Sequence, residues 1–420
     1  MLARAHELLV APRRGVLRLI KVIVARFAPG SRPPRRILER FILSEGRFHK
    51  LLQAEDFSLN CIPAPAPRMY PASGFHAPAR PILHQGELAN LLNVRFEELQ
   101  WFADLRQLEP RATQDPLRHY KYLWKIKASG SVRLLEAPKQ RLKALQRFLL
   151  KAVIDPIPPH SASHGFRSGH SILSFTAPHI QQSVVLKLDI KDFFPSIFRA
   201  RILGIFLTAG YPEPVAGLLA GLCTNTTPLG IVAAAPVDQP VELRRLRDLY
   251  YRPHLPQGAP TSPALANLCC YRLDCRLAGL ARSADANYSR YADDLLFSGG
   301  KEFRRSVERF YITAAAIALE EGFEINTRKT RIMSASVRQS AAGLVLNEKT
   351  NIKRAEYDRL KATLHNCRIH GVGRANHSRH PEFRAHLAGR IAHVSNVNPF
   401  RGAKLAALFE RITWNESKSI

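Results

Sequence analysis

The sequence predicts an α+β protein whose C-terminal part is helical, and three observations lead there. Apolar residues alternate at period two over residues 120–126. Further short apolar strands, one at 184–190 and a pair around Ala292-Asp293-Asp294, are interleaved with helical segments. From Tyr357 onward the apolar spacing is helical throughout.

Each element follows from its residues. Residues 1 to 60 are rich in arginine and helical in pattern. The apolar run at 15–27 is interrupted by Arg18, Lys21 and Arg26, too short and too charged for a membrane span and without a signal-peptide cleavage pattern. It reads as a basic amphipathic helix, either packed with a solvated charged face or in contact with RNA or a partner. Pro63, Pro65, Pro67, Pro71, Pro78 and Pro81 then preclude a helix and mark a linker. Leu88, Leu91, Leu92, Phe96, Leu99, Phe102 and Leu105 restore helical spacing up to the polar stretch at 110–116. Tyr120, Tyr122, Trp124 and Ile126 alternate with Lys121, Leu123, Lys125 and Lys127; Ser129-Gly130 supplies a turn and 132–135 the returning strand of a hairpin. Residues 141–154 are helical, 184–190 form a buried strand, and Phe303, Val307, Phe310, Ala314 and Ile317 share one face of a helix at 303–321. Tyr357, Leu360, Leu364, Phe383, Leu387, Leu405, Leu408, Phe409 and Ile412 make a helical C-terminal domain. No internal repeat is present.

With 420 residues, 46% of them hydrophobic, the chain folds, and it has room for two or three domains. Its net charge of +28, from 62 Lys plus Arg against 34 Asp plus Glu, favours phosphate-backbone partners through counterion release. A high-GC coding bias also gives surplus arginine, so site chemistry must decide. The six cysteines (Cys61, Cys223, Cys269, Cys270, Cys275, Cys367) contain no CxxC pair, which excludes a zinc ribbon and a disulfide scaffold and predicts reduced thiols in the cytoplasm.

The chemistry rests on carboxylates. Asp189 ends an apolar strand, where an ionised acid is costly unless paired or bound to metal. Asp293 and Asp294 are neighbours at the tip of an apolar hairpin, where a divalent cation relieves their repulsion. Three carboxylates gathered by a sheet can hold two Mg²⁺, one activating a hydroxyl and one neutralising a triphosphate.

The string Leu188-Asp189-Ile190-Lys191-Asp192-Phe193-Phe194 resembles the first carboxylate motif of reverse transcriptases. Tyr291-Ala292-Asp293-Asp294 resembles their YADD motif, and the segment at 255–263, Leu-Pro-Gln-Gly-Ala-Pro-Thr-Ser-Pro, resembles their template- and nucleotide-binding loop. All three stand in family order, and similarity extends over residues 120 to 415. The resemblance implies a right-hand polymerase: an N-terminal helical extension and linker at 1–82, helices and fingers at 83–183, a palm at 184–340 and an all-helical thumb at 341–420. It implies catalysis by Asp189, Asp293 and Asp294, with two Mg²⁺ held by these and by Ile190. Lys127 and Arg133 would reach the incoming triphosphate, unless they are ordinary exposed hairpin charges. Phe194 stands at the steric-gate position, where a ring excludes a ribose 2′-hydroxyl, or else packs in the core. Gln257 would brace nucleotide and template, with Gly258 allowing close backbone approach. Lys329 falls near the leaving pyrophosphate, as general acid or as phosphate-screening charge.

The segments Leu135-Glu136-Ala137-Pro138-Lys139, Leu142-Lys143, Gln146-Arg147, Ile157-Pro158-Pro159-His160 and His164 to Ile172 resemble the fingers region of bacterial retron enzymes. Retrons usually show Asn-Ala with a His three residues on, and a Val-Thr-Gly start further along; here Phe175-Thr176-Ala177-Pro178-His179 and Ala341-Ala342-Gly343 to Asn347 keep only His179 and the Gly343–Asn347 tail. Resemblance to retrons implies a structured noncoding RNA as template and primer, dNTPs as substrates, priming from a 2′-hydroxyl, a branched RNA–DNA product, and anti-phage defence with a separate effector protein. It implies no membrane. A defence polymerase of another lineage and a non-catalytic RNA-binding scaffold are the rivals, and the three intact acids oppose the scaffold. Between the motifs, Arg244, Arg245, Arg247 and Arg252 with Tyr250 and Tyr251 suit either RNA stacking or a solvated helix face. His365, Cys367, His370, His377 and His380 lack finger spacing, and the histidines are read as surface or phosphate-contacting groups.

Overall fold

The computed structural model describes residues 14–27, 35–46, 49, 69, 80–112, 114–127, 130–377 and 379–414. It divides into two units, Met1–Pro67 and Arg68–Ile420. In the first, α1 (Arg14–Arg26) and α2 (Arg35–Ser44) occupy the arginine-rich stretch, and Phe27 meets Phe41 edge to face at 5.6 Å between ring centroids. The proline-rich linker lies outside the described residues except for Met69, Arg80 and Pro81. No described helix is long and apolar enough to cross a membrane.

The second unit begins with α3 (Gln85–Leu92) and α4 (Phe96–Ala103), which bury Leu88, Leu92, Leu99 and Phe102 at the predicted spacing. The hairpin follows: β1 (Tyr120–Ile126) pairs antiparallel with β2 (Val132–Pro138), Lys125 opposite Arg133 and Tyr120 opposite Pro138. Gly130 takes φ 80 at its tip; Ser129, the other expected turn residue, lies outside the described residues. Next come α5 (Gln140–Leu149), prolonged by a π turn to Ile154, and the short α6 (Ile172–Thr176), capped by Ser171.

A four-stranded antiparallel sheet carries the rest. It contains β3 (Val184–Asp189), then β4 (Ala286–Tyr291), β5 (Asp294–Gly299) and β6 (Arg331–Ser334), in the spatial order β4-β5-β3-β6. Between β3 and β4 run α7 (Arg199–Thr208), α8 (Glu213–Cys223), α9 (Leu229–Ala233), α10 (Pro240–Tyr250), α11 (Ser262–Cys269) and α12 (Tyr271–Ser283); α13 (Lys301–Glu320) follows β5. Side chains alternate across a strand, so the sheet has two faces. Val184, Leu186, Leu188, Leu295 and Phe297 enter one core with Phe303, Val307 and Phe310 of α13. Val185 and Leu296 enter a second, with Phe175, Leu360, Leu364, Leu387 and Leu405.

The expectation of an all-helical segment at 341–420 is corrected. Before the helices stands a small sheet, β7 (Ser340–Ala341), β8 (Leu344–Val345) and β9 (Asn351–Ile352). Ala342 at φ 46 and Gly343 at φ 82 give the two positive-φ residues that a tight hairpin turn of this length requires. Leu344, Leu346 and Ile352 are buried against α14 (Arg354–His370), α16 (Phe383–Val397) and α17 (Pro399–Glu410), with the short α15 (Val372–Ala375) between α14 and α16.

Candidate active site

The register of β3 and β5 sets Asp189 directly opposite Asp294, and period-two alternation puts both on the sheet face that also carries Lys187. Asp293 occupies the two-residue turn between β4 and β5, and its carbonyl accepts from the Ile190 N–H at 2.8 Å. Asp189 is buried; its Oδ2 accepts from Lys329 Nζ at 2.8 Å and its Oδ1 from Asn326 Nδ2 at 3.2 Å. Lys187 Nζ lies 2.9 Å from Asp294 Oδ1 and 3.0 Å from Oδ2. Burial raises the pKa of Asp293, and the charges of Asp294 and Asp189 raise it further. Burial raises Asp294 as well, against the opposing pull of Lys187.

The three carboxylates offer hard oxygens of the kind Mg²⁺ takes, and the repulsion acting on Asp293 is of the kind a divalent cation relieves. Among the described residues no three acidic, imidazole or thiol groups are arranged to hold a metal ion, and Asp189 and Asp294 each face a lysine.

A buried scaffold holds the Asp293 turn. Ala292 takes φ 56, a left-handed conformation that costs a non-glycine residue free energy. Behind it, Arg290 and Asp274 form a fully buried bidentate pair at 2.8 and 2.7 Å; Arg290 also donates to Asn267 Oδ1 at 2.9 Å and to the Ala292 carbonyl at 3.2 Å. From the other side Gly165 presses on the turn, where a Cβ would stand 2.7 Å from the Ala292 nitrogen. Its carbonyl accepts from Asn267 Nδ2 at 2.7 Å, and the His164 N–H donates to the Arg290 carbonyl at 2.8 Å.

The residues expected at the nucleotide arrive on several elements. Partial burial and the charges of Arg133 and Lys329 lower the pKa of Lys127, while Asp192 and Asp189 oppose the shift, so the hairpin tip shares a field with the aspartates. Phe194 is half-buried, 5.3 Å from the Phe193 ring. The half-buried Gln257 is tied to the hairpin through its backbone: its carbonyl accepts from the Glu136 N–H at 2.9 Å, and a Cβ on Gly258 (φ 138) would stand 2.9 Å from the Glu136 carbonyl oxygen. Beneath that contact the Glu136 side chain is fully buried. It accepts from Asn225 at 2.9 Å, Thr227 at 2.8 Å and His254 Nε2 at 3.0 Å, while His254 Nδ1 reaches the Arg252 carbonyl at 2.7 Å.

Residues 125–364 match the family described as reverse transcriptase (RNA-dependent DNA polymerase). The chain is 43% identical over 307 residues to the retron Mx65 reverse transcriptase of Myxococcus xanthus, covering 72% of this chain and 67% of that protein. It is 35% identical over 340 residues to the retron Mx162 reverse transcriptase of the same organism, covering 77% and 66%, and 33% identical over 235 residues to the retron Ec86 reverse transcriptase of Escherichia coli, covering 56% and 65%. The chain belongs to the reverse transcriptase family, with retron enzymes as its relatives. It spans about two thirds of the length of these relatives.

For this reverse transcriptase the structure narrows several sequence readings. Two residues considered for RNA stacking are occupied: Tyr250 is buried, edge-on to Trp124 at 5.8 Å and to His254 at 5.2 Å, and Arg245 is paired with Glu242 at 2.7 Å and with Asp192. Arg252 lies over the Phe198 ring, whereas Arg244, Arg247 and Tyr251 are exposed. His179 is fully buried between Ser298 Oγ and Ser289 Oγ, both at 2.7 Å, so it braces β5 to β4, and burial lowers its pKa to about 3. The Glu136–His254 pair and the Asp274–Arg290 pair went unread in the sequence. The first joins residues 118 positions apart and the second joins a helix to the following strand 16 positions on, and the one local hint was an arginine within a short strand.

Proposed function

We propose that this chain copies part of a structured noncoding RNA into DNA, primed from a 2′-hydroxyl of that RNA, with Asp189, Asp293 and Asp294 as the catalytic acids. The observation that carries the reading is the pairing of Asp189 with Asp294 across β3 and β5, with Asp293 in the adjoining turn. In this reading 83–183 holds the fingers, 184–340 the palm and 341–420 the thumb. The three carboxylates and Ile190 would hold two Mg²⁺, which would supply hydroxyl activation and neutralise the leaving group. The chain's own residues do the rest. Lys127 and Arg133 meet the triphosphate from the hairpin, Gln257 braces the nucleotide, and Phe194 meets the sugar where a 2′-hydroxyl would project. Lys329 leaves Asp189 for the pyrophosphate side. The exposed Arg354, Lys361 and Arg368 on α14 suit the phosphates of an RNA stem. Similarity to retron reverse transcriptases is what supports this reading; a noncoding-RNA template, a branched product and anti-phage defence beside an effector protein are parts of the same proposal.

The test is the nucleic acid that copurifies with the protein. DNA joined to RNA through a linkage that a debranching enzyme opens, with alkali trimming the RNA, is the expected product. DNA with a free or protein-linked 5′ end refutes 2′-hydroxyl priming.

A further inference from the structure

One aromatic residue beside the aspartates is both strained and exposed. Phe166 has φ 59, in the left-handed region that a bulky side chain rarely enters, and the residue is 51% exposed. The surroundings leave its backbone little choice. Gly165 is pressed against the Ala292 nitrogen, its carbonyl is held by Asn267, and His164 is hydrogen-bonded to Arg290. Strain fixed this firmly marks a conformation held for a purpose. The Phe166 ring stands 6.3 Å from Phe194 and 6.2 Å from Tyr291, and those two rings are backed by Phe193 at 5.3 Å and Phe175 at 5.6 Å. Phe166 thus bridges Phe194, five residues beyond the end of β3, and Tyr291, the residue before the Asp293 turn, while remaining half exposed.

We propose that Phe166 is a sugar-contacting specificity residue: with Phe194 and Tyr291 it forms a continuous aromatic floor, and its open face packs on the sugar of the incoming nucleotide. This rests on the reading of Phe194 as the gate. A deoxyribose offers C–H groups to such a floor, whereas a 2′-hydroxyl pressed on it loses its hydrogen bonds to water without replacement.

The experiment uses full-length Phe166→Gly, Phe166→Leu and Phe166→Tyr with dNTPs and rNTPs in single-turnover extension, alongside thermal melting. Glycine accepts the positive φ, so Phe166→Gly is expected to melt at or above the wild-type temperature while the dNTP-over-rNTP preference falls about tenfold. Phe166→Leu shows the same loss, and Phe166→Tyr keeps the preference. An unchanged preference in Phe166→Gly and Phe166→Leu overturns the proposal, whichever way the melting temperature moves. Phe194→Val is the control: if it relaxes sugar selection and the Phe166 variants do not, the inference alone fails. If neither relaxes it, the gate reading fails and takes the inference with it.

Discussion

Replacing Glu136 by alanine removes the acceptor for three buried donors at once: Asn225, Thr227 and the His254 imidazolium. Asn225 retains the Tyr122 hydroxyl at 3.1 Å and His254 retains the Arg252 carbonyl, but Thr227 Oγ1 loses the acceptor it has here. Breaking one side of a buried charge pair costs about 3–5 kcal/mol, and that is the expected loss for Glu136→Ala. Glu136→Gln is milder. Its carbonyl still serves Asn225 and Thr227 and its amide can donate to a neutral His254, so about 1–2 kcal/mol is expected. The pair is also sensitive to pH. His254 lowers the Glu136 pKa despite burial, and Glu136 raises that of His254 despite burial. The carboxylate's contribution is present above its unfolded pKa, about 4.3, and is lost as pH falls through the depressed folded value. The imidazolium's contribution is complete below about 6.5 and is lost as pH rises through the raised folded value. The stability gap between wild type and Glu136→Gln is therefore widest between about pH 5 and 6 and narrows on the alkaline side. Urea unfolding at a series of pH values measures it. A gap that stays flat from pH 5 to about pH 9 would refute the charged pair.

Two further substitutions probe the turn and the leaving-group side. Gly165→Ala puts a methyl against the Ala292 backbone, which cannot move aside as a flexible side chain would; a loss of about 1–3 kcal/mol together with slower DNA synthesis is expected, and wild-type rate and stability would show that the contact does not hold the turn. Lys329→Gln removes the Asp189 partner and is expected to slow single-turnover nucleotide addition by about 10²-fold, whereas a loss below about threefold would take Lys329 out of the chemistry.

Local pattern made much of this molecule legible. The β1–β2 hairpin, the apolar β3, and the face of α13 with Phe303, Val307, Phe310 and Ala314 all follow from spacing within one segment. The β7–β9 sheet escaped because its strands are two residues long, too short for a period to register, although Gly343 marks the turn. Asp189, Asp293 and Asp294 stood out because acids at apolar strand ends are costly. The geometry around them did not, because it depends on partners from other elements: Lys329 on Asp189, 140 positions apart, His254 on Glu136, 118 positions apart, and Asp274 of α12 on Arg290 of β4. The strain at Phe166 and Ala292 is likewise a tertiary property, since neither residue type announces a positive φ.

The central claim is tested most directly by Asp293→Asn combined with Asp294→Asn, assayed for dNTP incorporation on an RNA template and, in parallel, for RNA binding. Loss of the carboxylates removes the metal ligands but leaves the basic surface, so incorporation is expected to vanish while RNA affinity stays within about twofold of wild type. Incorporation persisting at about a tenth of the wild-type rate would contradict the assignment of these aspartates to catalysis.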